Sequence, residues 1–524
     1  PSSADGPFGD EMAGGLGAVL EETWAVVGIT VPYIVQMGTM QMASRITLAF
    51  VGHYDSDPTR MAAASLGSMY ANITGLSIGM GIALALGSFC SQNQGRGAAT
   101  ENGIVVRHCL NVHVLCFAFA LLMSGVSAPL LGLLGQPPEL LEPVREFSLI
   151  MTLAWPANWM FSIFSTVLAS QQLQMAGVVG QVISATINVT LSWALLAHGV
   201  GFLGVAVANA VAAWSSVAYV VAYVVCTGRQ DTVWRIPAEV SPQGRVTLSG
   251  YLKSALPTAL SMWAEWWAAE VLALFAGWLP NGEQSVAAHG ILFNTMAVAY
   301  MAFLACSRAC MLRVGQKVGA RDVPGIRLSI SVCVAVSAVA SGLVALLLES
   351  YSWSILHTWT HHRGVLNEAS SAYIGMVWSI PPYSIMMSLM GGMRSAGLQV
   401  WVAKAMIVSF YFVGLPIGFY LGVVAGGGLL GVWIGNVISL TFGAIFTGLK
   451  ILTVDWRRIV EEASQDEAPR EGIGALKNSL LETRLCTLDL LPEAPSARCA
   501  PLHALRSVED PLLSGMPTSC ACGR

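Results

Sequence analysis

The chain is 524 residues long, 55% of them hydrophobic and only 11% charged, with a formal net charge of −4. Soluble domains carry about 25% charged residues, so a mean hydropathy of +0.63 excludes an ordinary water-soluble fold, and the slight acidity offers nothing to a nucleic acid. Eleven cysteines do not read as a disulfide framework: Cys90, Cys109, Cys116, Cys226, Cys306, Cys310 and Cys333 fall in or beside apolar runs, where a lone thiol behaves as a small hydrophobe.

In chain order, residues 1–23 form an acidic segment with Asp5, Asp10, Glu11, Glu21 and Glu22 and no basic residue, the opposite of the n-region of a signal peptide. The sequence opens at Pro1, as a fragment or processed product would. A membrane helix needs about 20 mostly apolar residues. Twelve such spans follow, over 24–50, 62–88, 105–128, 145–168, 178–198, 202–226, 254–279, 286–312, 325–348, 369–392, 401–425 and 428–452. They divide into a first lobe at 24–226, a linker at 227–253 and a second lobe at 254–452. Turn-rich stretches such as Gly135-Gln-Pro-Pro138 and Leu279-Pro-Asn-Gly282 separate several spans. Residues 453–524, rich in Glu, Pro and Ser, read as a mostly disordered tail beyond the boundary at Asp455-Trp-Arg-Arg458. Cys520 and Cys522 lie in that tail and read as unremarkable thiols.

Basic residues mark the sides. The connections after spans 2, 6, 8 and 10 hold Arg96, Arg107, Arg229, Arg235, Arg245, Lys253, Arg313, Lys317, Arg321, Arg327, Arg394 and Lys404, whereas those after spans 1, 3, 5, 7, 9 and 11 hold only Arg60, Arg145 and Arg363. The positive-inside rule places the first set, and with it both termini, in the cytoplasm. The sequons at Asn72 and Asn188 fall inside spans and are read as unused.

The halves repeat. Pro32 and Met37 answer Pro257 and Met262, Phe50-Val-Gly52 answers Phe275-Ala-Gly277, Pro156 answers Pro381, and Leu173-Gln174 answers Leu398-Gln399. The longest match sets residues 199–209 against 426–436, ending in Asn209 and Asn436, and Gly97-Ala98 pairs with Gly319-Ala320. The shared offset of 222 to 227 residues argues against chance. Six spans per unit leave the halves in the same orientation, related by an axis along the membrane normal. The expected fold is an all-α integral membrane protein of twelve helices, in two parallel-repeat lobes around a central cleft. Such transporters bind substrate between their halves and rock them in alternating access.

Charge inside a span costs about 2.5–3.5 kcal/mol at the bilayer centre, so it normally faces a wet cavity or a partner. Glu265 lies 11 residues beyond the start of its span at residue 254, near the midplane, where a carboxyl that takes a proton from one side and releases it on the other could couple transport to an ion gradient. Glu270 is about 140° further around the helix and reads as a second polar group toward the outer end. Trp266 and Trp267 could stack on an aromatic or cationic substrate or pack against lipid. His289 could pair with a carboxylate or sit satisfied in the core. Gln36, Gln41 and Asn72 could line a cavity of the first lobe. Asn209 and Asn436 suit interhelical hydrogen bonding, and Arg45 and Lys404 suit snorkelling. His357, His361 and His362 crowd one loop, read as solvated rather than metal-binding. Prolines 32, 156, 257, 381 and 416 should kink their spans. No Walker loop, HExxH or GxSxG is present, so an enzyme is not expected.

Leu256-Pro-Thr-Ala-Leu260, Glu265-Trp-Trp267 and Glu270, and Gly277-Trp-Leu-Pro-Asn281 resemble the multidrug and toxic compound extrusion (MATE) family, in particular its eukaryotic branch. Val51-Gly-His53, Arg313-Val-Gly315, Val413-Gly-Leu-Pro-Ile-Gly418 and Leu430-Gly-Val-Trp-Ile-Gly435 add to the likeness, which runs from Pro32 to Trp456. The resemblance implies antiport of organic cations, xenobiotics or secondary metabolites against H⁺ or Na⁺. It implies no cofactor, small organic substrates and the bilayer as partners, a working monomer, and residence in the plasma membrane or a vacuole-like membrane. Three departures stand out. Thr47 replaces an acidic residue of bacterial and archaeal relatives, Asn294 and Tyr383 replace glutamates of animal relatives, and Gly87-Ser-Phe-Cys90 replaces Glu-Thr-Leu-Cys of plant relatives. Asn294 and Tyr383 therefore join the candidate cleft residues. A major-facilitator carrier and a lipid or lipid-linked-sugar flippase of related fold are the alternatives. The Glu-Trp-Trp segment argues against the first, and the acidic character of the buried charge against the second.

Overall fold

The computed structural model describes residues 7–54, 58–133, 135–238 and 246–465. Where no water reaches the backbone, helices satisfy every peptide group internally, and twelve long helices build the described residues. They are α1 (Pro7–Tyr54), α2 (Thr59–Gly95), α3 (Asn102–Gly125), α4 (Pro138–Ser170), α5 (Gln174–Ala197), α6 (Leu203–Cys226), α7 (Leu248–Gly277), α8 (Gly282–Gly319), α9 (Val323–Ser350), α10 (Arg363–Ser395), α11 (Gln399–Val424) and α12 (Gly428–Thr453). Ten are long and apolar enough to cross a membrane on composition alone. The other two, α7 and α10, have 30 and 33 residues, about 45 and 50 Å of helix. They fall short because α7 carries Lys253, Glu265 and Glu270, and α10 carries Arg394, Pro381, Pro382 and several serines.

Two apolar cores mark the lobes, and each contains part of the other's first helix. Val26, Ile29 and Tyr33 of α1 belong to the second lobe's core, while Tyr251, Ala255 and Ala259 of α7 belong to the first lobe's. The lobes therefore interlock rather than merely abut. The end of the acidic segment joins this packing, because α1 runs through it from Pro7. Glu22 is buried, accepts from Arg313 Nε at 2.9 Å and from Ser329 Oγ at 2.7 Å, and holds α1 against α8 and α9. An amphiphilic stretch reads as a free end in sequence when its charges have partners far along the chain.

The first part of the linker 227–253, residues 227–238, is likewise docked. Its short helix Gln230–Val233 buries Val233, and Thr232 O accepts from Asn102 Nδ2 at 3.2 Å and Gln171 Nε2 at 3.1 Å. The region 453–524 opens with a further helix, α13 (Trp456–Gln465), whose Trp456 and Val460 join the second lobe's core. The rest of that region, with Cys520 and Cys522, lies outside the described residues.

Prolines do different work from one helix to the next. Pro32, Pro257 and Pro381 lie inside helices, whereas α4 breaks at Leu153–Ala154 and Pro156 starts its second half. Pro416 follows a π-helical stretch, Val408–Gly414, and a second one covers Tyr420–Val424. In α2 the π stretch is Asn72–Leu76. Such segments recur at functional positions.

At the end that carries the basic loops, α2 and α8 cross through the same four-residue pattern, Gln92-Asn-Gln-Gly95 and Gln316-Lys-Val-Gly319. A Cβ on Gly95 would sit 2.0 Å from Gln316 O, and one on Gly319 would sit 2.1 Å from Gln92 O. Gln92 Nε2 donates to Ser395 O at 2.6 Å, and Gln316 Nε2 donates to Ser170 O at 2.9 Å, the equivalent position in the other lobe. This pseudo-twofold contact closes the lobes together. It also sets the register of the repeat here at 224 residues (316 minus 92), matching Gly95 to Gly319, whereas sequence alone pairs Gly97 with Gly319. The turn residue at φ 74° in the first lobe is Gly97, and its counterpart at φ 61° is Arg321. Sequence matching fails at this turn because Arg321 adopts a backbone that usually selects glycine.

Candidate functional site

Each lobe places polar groups where its first helix faces its fourth. In the second lobe, Tyr383 of α10 donates its hydroxyl hydrogen to Glu265 Oε1 of α7 at 2.8 Å. The Tyr383 ring stacks on Tyr300 of α8, with centroids 3.6 Å apart and planes within 6°. The Tyr300 hydroxyl lies beside Ser379 and Asn436. Arg394, in the last turn of α10, is buried within electrostatic reach of Glu265 and donates from Nη2 to Ser261 Oγ at 3.4 Å. A carboxylate so placed has one neutral donor, one nearby guanidinium and partial access, so it can exchange a proton or hold a cation.

The other sequence candidates of this lobe lie elsewhere. Glu270 is exposed and makes no side-chain hydrogen bond among the described residues, because five helical steps turn it to a different face. Trp266 and Trp267 are 40% and 59% exposed. Trp267 lines an apolar groove with Trp263, Phe119, Ile407 and Tyr411, while Trp266 faces outward. His289 is buried between the rings of Phe293 and Trp433, and among the described residues Nδ1 has no hydrogen-bond partner and no carboxylate lies beside it. Asn294 accepts from Arg45 Nη1 at 3.0 Å, a hydrogen bond from one lobe to the other. Arg45 is therefore engaged with a partner rather than extended to the interface. Lys404 is exposed.

The first lobe holds a cavity of about 160 Å³ instead. Gln36 and Gln41 of α1 and Asn72 of the α2 π stretch all line it, with Asn158, Asn188 and Asn209 opposite. At the repeat offsets of 225, 224 and 225, the counterparts of Glu265, Tyr300 and Tyr383 are Met40, Leu76 and Asn158, and all three line this cavity. Its lining includes no Asp or Glu and one charged residue, Arg308 of α8.

Two residues of this region were passed over in sequence. Arg394 lies just past the apolar run 369–392 and counted only as a loop charge, yet α10 continues to Ser395 and turns the side chain inward. Arg308 lies within the apolar run 286–312, and its charge at that depth was the signal that could have found it. Two histidines of the 357–362 segment have local partners. His357 stacks on Trp353 at 3.8 Å, and His362 Nδ1 accepts the Val365 N–H at 3.4 Å as a helix cap.

Comparison with known proteins places this arrangement. The chain is 26% identical over 439 residues to multidrug and toxin extrusion protein 1 of Danio rerio, covering 82% of this chain and 72% of the relative. It is 26% identical over 443 residues to protein DETOXIFICATION 16 of Arabidopsis thaliana, covering 84% and 89%. The fold matches a crystal structure of a eukaryotic MATE transporter with TM-score 0.79 and 21% identity, over 86% of this chain and 99% of that one. The MatE family model matches twice, over residues 32–194 and 257–420, starting 225 residues apart (257 minus 32), once in each half of the repeat. The chain belongs to the MatE family of membrane transporters.

Proposed function

We propose that the chain is a secondary antiporter that exports small organic cations, xenobiotics or secondary metabolites in exchange for H⁺ or Na⁺ by alternating access. The observation that carries this reading is the Glu265–Tyr383 hydrogen bond at 2.8 Å, formed between the two helices whose composition departs from that of a simple membrane span. The relatives' names, extrusion of multidrug and toxin and detoxification, supply the substrate class. Ionised Glu265 accepts from Tyr383 and offers a site for a cation. Protonated Glu265 is neutral and offers none, so proton and cation exclude each other. With the basic loops assigned to the cytoplasm, the Gln92–Gly95 and Gln316–Gly319 crossing closes the inner side, and the chain stands in an outward-facing state. Both termini are then cytoplasmic, in a plasma membrane or vacuole-like membrane, and one chain suffices for transport.

The test is flux of a fluorescent organic cation into proteoliposomes under an imposed pH or sodium gradient, comparing the native chain with Glu265→Gln. Gradient-driven flux that the substitution abolishes, with the protein still monodisperse, is expected. A broad panel of cations that neither gradient moves would overturn the reading.

A further inference from the structure

At the end that carries the basic loops, a cleft of about 530 Å³ opens between α3, the linker and the start of α7, a size that suits an organic ligand rather than a lone ion. One wall is a single face of α3, because Ile104, Arg107, His108 and Asn111 recur at steps of three and four residues. Ile236 of the linker and Leu248 of α7 form the other. Both walls are fixed. A Cβ on Gly103 would lie 2.1 Å from Arg235 O, so α3 and the linker meet backbone to backbone, and His108 Nε2 donates to Val246 O at 2.8 Å. Arg107 is exposed, five residues into α3 from Asn102, about 8 Å along the axis. It has no acidic partner among the described residues, and the lining holds no Asp or Glu. His108 Nδ1 is buried and also lacks a partner among the described residues. Further along α3 the same face continues into exposed Val114, Leu115 and Leu122. A second groove begins at the shared Leu248 and passes Lys253 and Leu256 of α7, both exposed. Unpaired cations thus stand at the polar end of two apolar tracks, the complement of an amphiphile with an anionic head.

We propose that this cleft binds a phospholipid with an anionic headgroup, held by Arg107 and Lys253 with Asn111 as a further donor, and with its acyl chains laid on Val114, Leu115 and Leu256. Guanidinium and ammonium are the side chains that pair with phosphate, and the cytoplasmic leaflet supplies anionic lipids on the side to which the basic loops are assigned. The cleft shares no residue with the first lobe's cavity or with the Glu265–Tyr383 pair. A lipid seated there ties α3 to the beginning of α7, whatever the substrate and coupling ion are.

The experiment is native mass spectrometry of the full chain in detergent, titrated with dioleoylphosphatidylglycerol or dioleoylphosphatidylcholine. The acyl chains are identical, so a difference reads the headgroup. The native chain should bind phosphatidylglycerol roughly 25-fold more tightly, at about 5-fold for each of two cations. Arg107→Gln and Lys253→Gln should each lower that preference about 5-fold. The double variant should bind both lipids alike and keep its affinity for phosphatidylcholine, which also shows that it is folded. Arg235→Gln removes a cation outside the lining and should keep the full preference. Equal binding of the two lipids by the native chain overturns the proposal, as does an undiminished preference in the double variant. An equal loss in Arg235→Gln would assign the effect to overall charge and overturn the site. Displacement of the lipid by excess inorganic phosphate would assign the cleft to a free anion and overturn the lipid.

Discussion

At Met40, Leu76 and Asn158 the first lobe leaves a cavity, whereas at Glu265, Tyr300 and Tyr383 the second lobe fills the corresponding place with a carboxylate and two stacked rings. The helices around both places follow one plan, down to paired glutamines that cross to opposite serine carbonyls. Duplication has thus left the crossing between the lobes alike on both sides and the side chains within each lobe different. The crossing leaves no room for a side chain at Gly95 or Gly319, whereas the interior of each lobe carries its own chemistry.

The largest effect should come from breaking what the lobes share. Gly95→Leu or Gly319→Leu drives a side chain into a facing carbonyl, where even a Cβ would lie 2.0 or 2.1 Å away. Overpacking costs about 1–3 kcal/mol or more, and here it falls on the closed crossing alone. Hydrogen exchange at residues 92–96 and 316–320 should quicken in both variants, and to a similar degree. An effect confined to one of them would show that the crossing is not a symmetric device.

The next effect separates the lobes. Tyr383→Phe removes the hydroxyl that donates to Glu265 and should weaken the ionised state by about 1.5–3 kcal/mol, the worth of a hydrogen bond to a charged group. Gradient-driven flux should fall roughly 10-fold or more. Asn158→Leu, at the equivalent place in the first lobe, should leave ion coupling in place. Equal losses in both variants would mean that coupling is shared between the lobes.

Much of this comparison was legible in the sequence. Apolar runs exposed the twelve spans, the repeat offset paired the two halves, and Glu265 stood out because a carboxylate in an apolar run is costly. Tyr383 entered only through a likeness to relatives, as a departure from their glutamate. What stayed hidden has a common cause. Arg308 and Arg394 act across long sequence separations, and Glu22 binds Arg313 and Ser329 far along the chain, so their partners leave no local pattern. Asn294 joined the candidates only through the likeness to relatives, and His289 as a histidine that could pair with a carboxylate or sit satisfied in the core. Asn294 is instead engaged by Arg45, and His289 is held among aromatic rings.

A smaller effect follows from turns that the lobes fill with different residues. Gln172 has φ 63° and its counterpart Gly397 has φ 78°. Left-handed backbone costs a residue with a Cβ about 1–2 kcal/mol. Gly397→Ala should lower stability by about that amount, while Gln172→Gly should be close to neutral or stabilising, since strain relief offsets the added freedom of the unfolded chain. Thermal unfolding followed by tryptophan fluorescence would read both. A destabilised Gln172→Gly would mean that its side chain contributes more than its backbone costs.

The smallest effect lies where only one lobe has a helix cap. Asp322 accepts the Gly325 N–H at 2.8 Å and Lys317 Nζ at 3.0 Å at the start of α9. Its counterpart before α3, at the offset of 224, is Ala98, which makes no side-chain cap. Burial pushes the Asp322 carboxyl up, but the Gly325 N–H and Lys317 outweigh it and hold the group below its ordinary value. A depressed folded value means the contribution is fully present above the ordinary carboxylate range, near 3.9, and is lost as pH falls through the folded value. Asp322→Ala should therefore cost about 0.5–2 kcal/mol at neutral pH, and the gap from the native chain should narrow in strong acid. Unfolding curves at neutral and acidic pH test the sign. A gap that widens in acid would place the stabilisation in the protonated form and reverse the argument for the cap.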